Sequence, residues 1–310
     1  MPAHSAAPSS SRPPGSVVRA AAPAKLNLYL HVLGRRADGY HELDSLVAFA
    51  DLADGLEVCA ADRFALTIDG PFAAPLLAED PERNLVTRAV RLLAAELGRP
   101  ADVAVRLTKR LPVAGGIGGG SSDAAATLRA LARLWGLPPG DPRPALVAPR
   151  LGADVPVCLF GRTSYFGGVG DRVEAGPTLP PVAVLLVNPG VAQPTKDVFA
   201  ARTGPVGAAA RLERAPRDTD DLVGLLAARR NDLAAPAATL APVIADVLAR
   251  IAASHGCVFS RMSGSGATCF GLFRDLPAAR EAADAIAADR PGWWAAAGAL
   301  SETAASVEPA

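Results

Sequence analysis

The sequence predicts a chain of about two domains that mixes helices with strands, and three observations carry that expectation. Its 310 residues are roughly twice the usual domain length. Half of them are apolar and a fifth charged, the balance of a chain that buries a core and is neither disordered nor membrane-embedded. Short segments with strand and helix periodicity alternate along it.

Met1 to Ser16 is rich in Pro, Ser and Ala and has no apolar period, so a disordered tail is expected over residues 1–16. It also lacks the apolar core of a secretory signal. Ala22 to Leu30 places Leu26, Leu28 and Leu30 in alternation and reads as a strand. Val86, Val90, Leu93 and Leu97 make one helical stripe. Val103 to Thr108 alternates as a strand, which Leu111-Pro112 ends. Further on, Ala125, Leu128, Ala132 and Trp135 fall on one face of a helix stopped by Gly136. Val182 to Val187 is a short apolar run closed by Asn188-Pro189-Gly190; it reads as a buried strand, far below the ~20 residues that span a membrane. Thr203 to Asp221 has no apolar period and predicts a mobile surface loop. Val243, Val247, Leu248 and Ile251 stripe a helix that ends before Gly256, and Pro242 and Pro277 sit where a first helical turn accepts proline. Cys269 to Phe273 is an apolar strand.

Lys plus Arg, 31, cancels Asp plus Glu, 31, which excludes a general electrostatic grip on nucleic acid or an acidic membrane. Any polyanion site is therefore local. Cys59, Cys158, Cys257 and Cys269 form no C-x-x-C pair and have no His at ligand spacing, so neither a zinc site nor a disulfide framework is expected, and the thiols suit a reducing cytoplasm. Only three of the 31 basic residues are lysine: Lys25, Lys109 and Lys196. In a chain that meets ordinary surface charge with arginine, a retained lysine marks a place where a compact ammonium is wanted.

The strongest chemical signal is LPVAGGIGGGSSD, Leu111 to Asp123, with glycine at five of the six positions 115–120. In a chain of this glycine content that density arises by chance on the order of once in a hundred sequences. A strand enters the segment and an amphipathic helix leaves it, so it is not a linker. Strand, side-chain-free loop and helix N-terminus bring backbone N–H groups and the positive end of the helix dipole together, which suits phosphate. Ser121 and Ser122 offer hydroxyls to a phosphate oxygen or a metal ion, and Asp123 complements the helix dipole. A Walker A loop would end Gly-Lys-Ser/Thr, but Gly120 is followed by Ser121. A dinucleotide fingerprint would need Gly or Ala at 121, where Ser stands, and an acid about 20 positions on closing a neighbouring strand, whereas Asp141 lies in a Pro/Gly turn.

The glycine segment, Pro-x-x-x-Gly-x-Gly-Gly-Gly-Ser-Ser-Asp-Ala-Ala, resembles the phosphate loop of the GHMP kinases, which include galactokinase and the homoserine, mevalonate and phosphomevalonate kinases. Ala22 to Leu30, Arg36 to His41, Leu151 to Pro156 and Met262 to Thr268 stand in the same order as the blocks of one branch, the kinases of 4-diphosphocytidyl-2-C-methyl-D-erythritol in the non-mevalonate isoprenoid pathway. Ala114 and Asp123 depart from that pattern, standing where Gly and Asn are common. The resemblance implies an α+β, two-domain GHMP kinase fold, with a ribosomal-S5-like N-terminal domain over 17–163, a ferredoxin-like C-terminal domain over 164–310, and the site between them.

It also implies an ATP-dependent transfer to the 2-hydroxyl of the cytidine substrate, with Mg2+ accompanying ATP. Asp154, in Gly-Ala-Asp-Val-Pro, matches the catalytic base, although the segment alone also reads as a turn or cap. Lys25 matches the catalytic lysine, and Asn27, two residues on along an extended chain, shares its face. Tyr40 is implied to stack on cytosine, His41 to read its edge, Phe199 to cover the other face, and Thr195 to approach the phosphates or sugar. The ATP contacts carried over are Lys109, Pro112, Gly115, Gly116, Gly118, Gly119, Gly120, Ser121 and Ser122, with Ser122 the one side chain offered to a metal. Ser263 to Thr268 is implied to pack against the phosphate loop. The partner expected is a small molecule alone.

Overall fold

The computed structural model describes residues 17–301, 303 and 307–309; the tail expected over 1–16 lies outside them. The strands are β1 (Val18–Arg35), β2 (His41–Ala60), β3 (Ala65–Asp69), β4 (Val103–Thr108), β5 (Ser164–Gly168), β6 (Arg172–Ala175), β7 (Ala183–Asn188), β8 (Cys257–Met262), β9 (Cys269–Phe273), β10 (Trp294–Ser301) and β11 (Val307–Pro309). The helices are α1 (Ala73–Leu77), α2 (Leu85–Glu96), α3 (Gly119–Leu134), α4 (Arg143–Leu151), α5 (Val155–Phe160), α6 (Thr195–Ala200), α7 (Thr219–Ala227), α8 (Ala234–Leu240), α9 (Val243–Ala253) and α10 (Leu276–Asp289). Among the described residues, no single helix is long and apolar enough to cross a membrane.

Strands β1 and β2 form one long hairpin. β2 pairs with β5 through its first half and with β4 through its second, so it is the spine of the first sheet. β3 lies parallel to β4, and β6 extends β5, which carries this sheet's pairing past residue 163 to Ala175. The second sheet has the antiparallel order β10-β7-β9-β8 and carries α9 and α10. That is the βαββαβ order of a ferredoxin-like domain. β10 also touches β2 at Leu300 and Ser301, joining the sheets edge to edge.

The apolar pattern accounts for the layers. Val47, Phe49, Val58, Val103, Val105 and Leu107 turn one face of the first sheet toward α2 to α5. Leu26, Leu28, Leu46 and Ala48 pack instead against Val184, Leu186, Phe270 and Leu272 of the second sheet. Ala183, Leu185 and Val187 face the other way, onto Ile244, Val247, Ile251 and Ile286 of α9 and α10. β7 thus contributes alternate residues to two cores, which is why its sequence is continuously apolar where a half-exposed strand would alternate.

Three sequence expectations shift. The stripe read for α3 is too narrow: Ala124, Ala126, Ala130 and Leu131 are buried along with Ala125 and Leu128, because the helix lies between the sheet and α2 and α5. On α9 the buried line begins at Ile244, while Val243 is only half-buried. The loop expected at 203–221 ends earlier, since Asp218 accepts the Asp221 N–H at 2.8 Å and caps α7. It is also tethered, by Gly207 N–H to Val32 O (2.7 Å), by Ala210 N–H to Asp44 Oδ2 (2.8 Å) and by paired Arg211–Glu174 bonds.

One side chain ties the second sheet to the first. Arg261 on β8 donates to Leu28 O on β1 (2.8 Å), to Leu226 O (3.1 Å) and to Arg229 O (2.5 Å). Burial lowers its pKa to about 10, still charged at neutral pH. Arg261→Leu takes a donor from three carbonyls, of which Leu226 O keeps the Arg229 N–H at 2.9 Å, and is expected to cost about 2–4 kcal/mol, read as a lower urea midpoint. Arg261→Lys recovers only part of that, since an ammonium lacks the planar fork.

Candidate active site

The glycine loop descends from β4 through Leu111 and Pro112, both buried. Gly116 and Gly118 hold positive φ, +74° and +63°, conformations that a side chain disfavours. A Cβ on Gly116 would stand 2.5 Å from Gly266 O, so backbone meets backbone there. The turn at Ser263 to Thr268 closes this seam: Thr268 N–H donates to Gly115 O (3.0 Å) and Ser263 Oγ to Gly116 O (3.1 Å). Gly118 caps α3 with no side chain, and the first intrahelical bond runs from Ser122 N–H to Gly118 O. The amides of Gly119, Gly120 and Ser121 therefore have no carbonyl a turn behind them. They open on a cavity of about 380 Å3 that Lys25, Asn27, Asp154, Thr195 and Ser265 also line.

Lys25 stands where the loop and β1 meet. Its N–H donates to Ile117 O (2.9 Å), and a Cβ on Gly118 would lie 3.0 Å from its Cε. Its ammonium bonds Asn27 Oδ1 at 2.9 Å and pairs with Asp154 Oδ2 at 3.0 Å. Lys25 is buried, while the Asp154 side chain keeps about a third of its surface open. Asn27 is itself held: Nδ2 donates to Ser45 Oγ (2.8 Å), and its N–H to Ser263 Oγ (3.2 Å). Ser45, invisible in the sequence pattern, orients that amide from β2 by donating in turn to Tyr29 O at 2.5 Å.

A second cavity, about 880 Å3, adjoins the first and shares Ser121, Asp154, Thr195 and Phe199 with it. Tyr40, His41, Arg35, Lys196 and Arg202 complete its wall. Tyr40 is 66% exposed at the rim. The ring that meets Phe199 is that of His41, stacked at 4.8 Å and 22°. Burial, with Arg35 and Arg202 nearby, lowers the His41 pKa, so the imidazole is neutral at pH 7 with one donor and one acceptor nitrogen. Thr195 Oγ1 lies 2.9 Å from Ser265 Oγ, linking α6 to the 263–268 turn. A larger hollow, about 970 Å3, lies elsewhere along the Arg19–Glu57 and Arg106–Asp69 pairs and holds none of these groups.

Three ATP contacts implied by the resemblance are not in the cleft. The Lys109 ammonium is buried between Asp54 Oδ2 (2.5 Å) and Asp123 Oδ2 (2.7 Å), and no charge is left over for a phosphate. Pro112 is buried behind the loop and shapes it without lining the cavity. The Ser122 hydroxyl donates to Pro23 O at 2.7 Å and does not line the cavity, so the hydroxyl that faces the cavity is Ser121's rather than that of Ser122. Asp54 escaped the sequence reading because the countercharge of a buried lysine carries no local pattern. Ala114 takes φ +54°, where the family often has glycine.

Two substitutions probe this loop. A Cβ on Gly120 would meet only Leu85 Cδ1, at 3.5 Å, so Gly120→Val is expected to keep the fold while its branches crowd the cavity and weaken ATP about tenfold by calorimetry. Gly118 is a poorer probe because a side chain there displaces Lys25. Ala114→Gly relieves a left-handed Cβ and is expected to raise stability by up to about 1 kcal/mol, read from thermal unfolding.

The chain matches the model of the GHMP kinases N terminal domain over residues 84–162 and that of the GHMP kinases C terminal domain over 212–291. It is 54% identical over 275 residues to the 4-diphosphocytidyl-2-C-methyl-D-erythritol kinase of Paramagnetospirillum magneticum, covering 89% of this chain and 95% of that one. With the kinase of the same name from Rhodospirillum rubrum it shares 49% over 295 residues, 95% and 96% of the two chains. A crystal structure of 4-(cytidine 5'-diphospho)-2C-methyl-D-erythritol kinase superposes with a TM-score of 0.74 at 38% identity, covering 91% of this chain and 98% of that one. The homoserine kinase of Cytophaga hutchinsonii, at 18% identity, covers 98% and 100% with a TM-score of 0.72 and shares the fold. With half its residues retained across nearly the whole length of such relatives, the chain belongs to the 4-diphosphocytidyl-2-C-methyl-D-erythritol kinase family of the GHMP kinases, ATP-using small-molecule kinases.

Proposed function

We propose that the protein phosphorylates the 2-hydroxyl of 4-diphosphocytidyl-2-C-methyl-D-erythritol with ATP, in the cytoplasm, as a step toward isopentenyl diphosphate, with small molecules as its only partners. The observation that carries the reading is the Lys25–Asp154 pair at the junction of two cavities, one walled by the glycine loop and the other by Tyr40, His41 and Phe199. ATP lies along the first with its phosphates on the loop amides. The cytidine end of the acceptor fills the second.

In this arrangement the acceptor hydroxyl sits at Asp154, which takes its proton as the oxygen bonds to the γ-phosphorus and the bond to the β-phosphate oxygen breaks, releasing ADP. Lys25, held by Asn27, neutralises the developing alkoxide. Among the described residues, Asp154 is the only acidic side chain lining either cavity. One carboxylate is too few for a protein-built cage and fits Mg2+ that arrives on the nucleotide and keeps its waters. That ion supplies charge neutralisation on the phosphates.

The base has to compete for Phe199. His41 occupies one face of that ring, so reading the cytosine edge requires the imidazole to leave it. An aromatic pair is worth about 0.5–1.5 kcal/mol and a stacked base about 1–3, so the exchange favours the ligand. The neutral imidazole then offers the donor and acceptor that a base edge needs.

Release of ADP in a coupled assay, with and without the cytidine substrate, tests the reading directly; ADP formation indifferent to the acceptor would sink it. Asp154→Asn is expected to leave ATP affinity intact and lower turnover by roughly 10²–10⁴-fold, and turnover near that of the parent would remove Asp154 as the base. Tyr40→Ala should weaken the cytidine ligand by about 1–3 kcal/mol without touching ATP. His41→Ala should in addition erode the preference for cytosine over uracil analogues in competition titrations. If both variants kept full affinity and preference, the cavity beside Tyr40 would not be the base site.

A further inference from the structure

The mechanism above leaves Lys109 and Asp123 unused, and both are almost wholly buried beneath the phosphate loop. Lys109 Nζ bonds Asp54 Oδ2 from β2 and Asp123 Oδ2 from α3. The other oxygen of Asp54 is filled by the N–H groups of Arg110 (2.5 Å) and Leu111 (2.8 Å). The other oxygen of Asp123 is buried with no partner. Gly119 and Asp123 are four residues apart on α3 and face the same way. A Cβ on Gly119 would stand 3.1 Å from the ammonium, so the missing side chain at 119 is what admits Lys109 under the first turn.

Buried ions are a weak source of stability, and apolar residues of similar volume often serve a fold as well. The place of this triad suggests a different use. We propose that Asp123, acting through Lys109 and Asp54, is a positioning residue of the phosphate loop that pins the first turn of α3 to β2 and sets the charge beneath the ATP phosphates. The proposal rests on the assignment of the glycine loop to ATP.

Two carboxylates facing one ammonium carry a surplus negative charge directly below an anion site. Burial and the neighbouring Asp54 push the Asp123 carboxyl up to about 7, so a proton cancels that surplus near neutral pH. Among the described residues, the other groups nearest this turn are Lys25 from β1, against Gly118 and paired with Asp154, and Cys158 from α5, which meets Ser122 and whose thiol burial pushes up to about 12. Bound polyphosphate favours the protonated form of Asp123. By linkage, ATP affinity falls as pH rises through about 7 and the carboxylate charges.

The test is calorimetric titration of ATP, and in separate runs of the cytidine ligand, into the protein and two variants from about pH 6 to 8.5. Asp123→Asn keeps an oxygen for Lys109 and cannot ionise, so it is expected to bind ATP more tightly than the parent at high pH and to show only the pH dependence of ATP itself. Asp123→Ala leaves Lys109 half-partnered and should weaken ATP about tenfold while the cytidine ligand keeps its affinity. Equal pH dependence in parent and Asp123→Asn overturns the proposal, as does a Asp123→Ala variant that loses both ligands equally or neither. Should Asp123→Ala fail to fold, the Asp123→Asn comparison decides alone. A parent that binds no ATP at all would instead overturn the loop assignment.

Discussion

The seam between Gly115 to Ile117 and the turn Ser263 to Thr268 is the contact on which the rest of the cleft depends. Two stretches of backbone from different domains approach so closely that neither Gly116 nor Gly264 has room for a Cβ. Hydrogen bonds from Thr268 and Ser263 lock the approach, and Lys25 N–H takes the next carbonyl, that of Ile117. The glycine loop is therefore a shared edge of both domains. Its geometry, the station of Lys25 and the register of β1 are set together.

That sharing explains how a lysine and an aspartate more than a hundred residues apart come to lie 3.0 Å from each other. Lys25 arrives on β1, Asp154 at the entrance to α5, and α3 packs on both elements. Apolar packing does the heavy work: one face of the first sheet buries against α2 to α5 and the other against β7 and β9. Electrostatic groups are then added where packing has already fixed the backbone, as with Asn27, held from two sides before it receives the Lys25 ammonium.

Much of this was legible in the sequence wherever a local rule applied. The glycine loop, the strand before it, the helix after it and the doubly buried Val182 to Val187 follow from periodicity and turn chemistry, and the ordered blocks from Ala22 to Thr268 carried the family. What stayed hidden were partnerships formed only in three dimensions. Nothing near Lys109 in the chain announces that Asp54, fifty-five residues away, will bury it. Nothing distinguishes Ser121, open to the cavity, from Ser122, spent on Pro23, because one helical step separates opposite fates. The ring partner of Phe199 was likewise unreadable: adjacent Tyr40 and His41 have the same spacing from everything else, and tertiary packing chose His41.

The scarcity of lysine has a consequence for the chemical handling of the protein. Lys25 is 3% exposed and Lys109 1%, each with its ammonium engaged, whereas Lys196 is open at the wall of the cavity that holds Tyr40 and Phe199. Since the chain has no fourth lysine, an amine-reactive label that spares the α-amino group has one accessible side chain to choose. A fluorophore attached by so unselective a chemistry would nonetheless sit at a single known place, the mouth of the cavity walled by Tyr40 and Phe199, and report on what enters it.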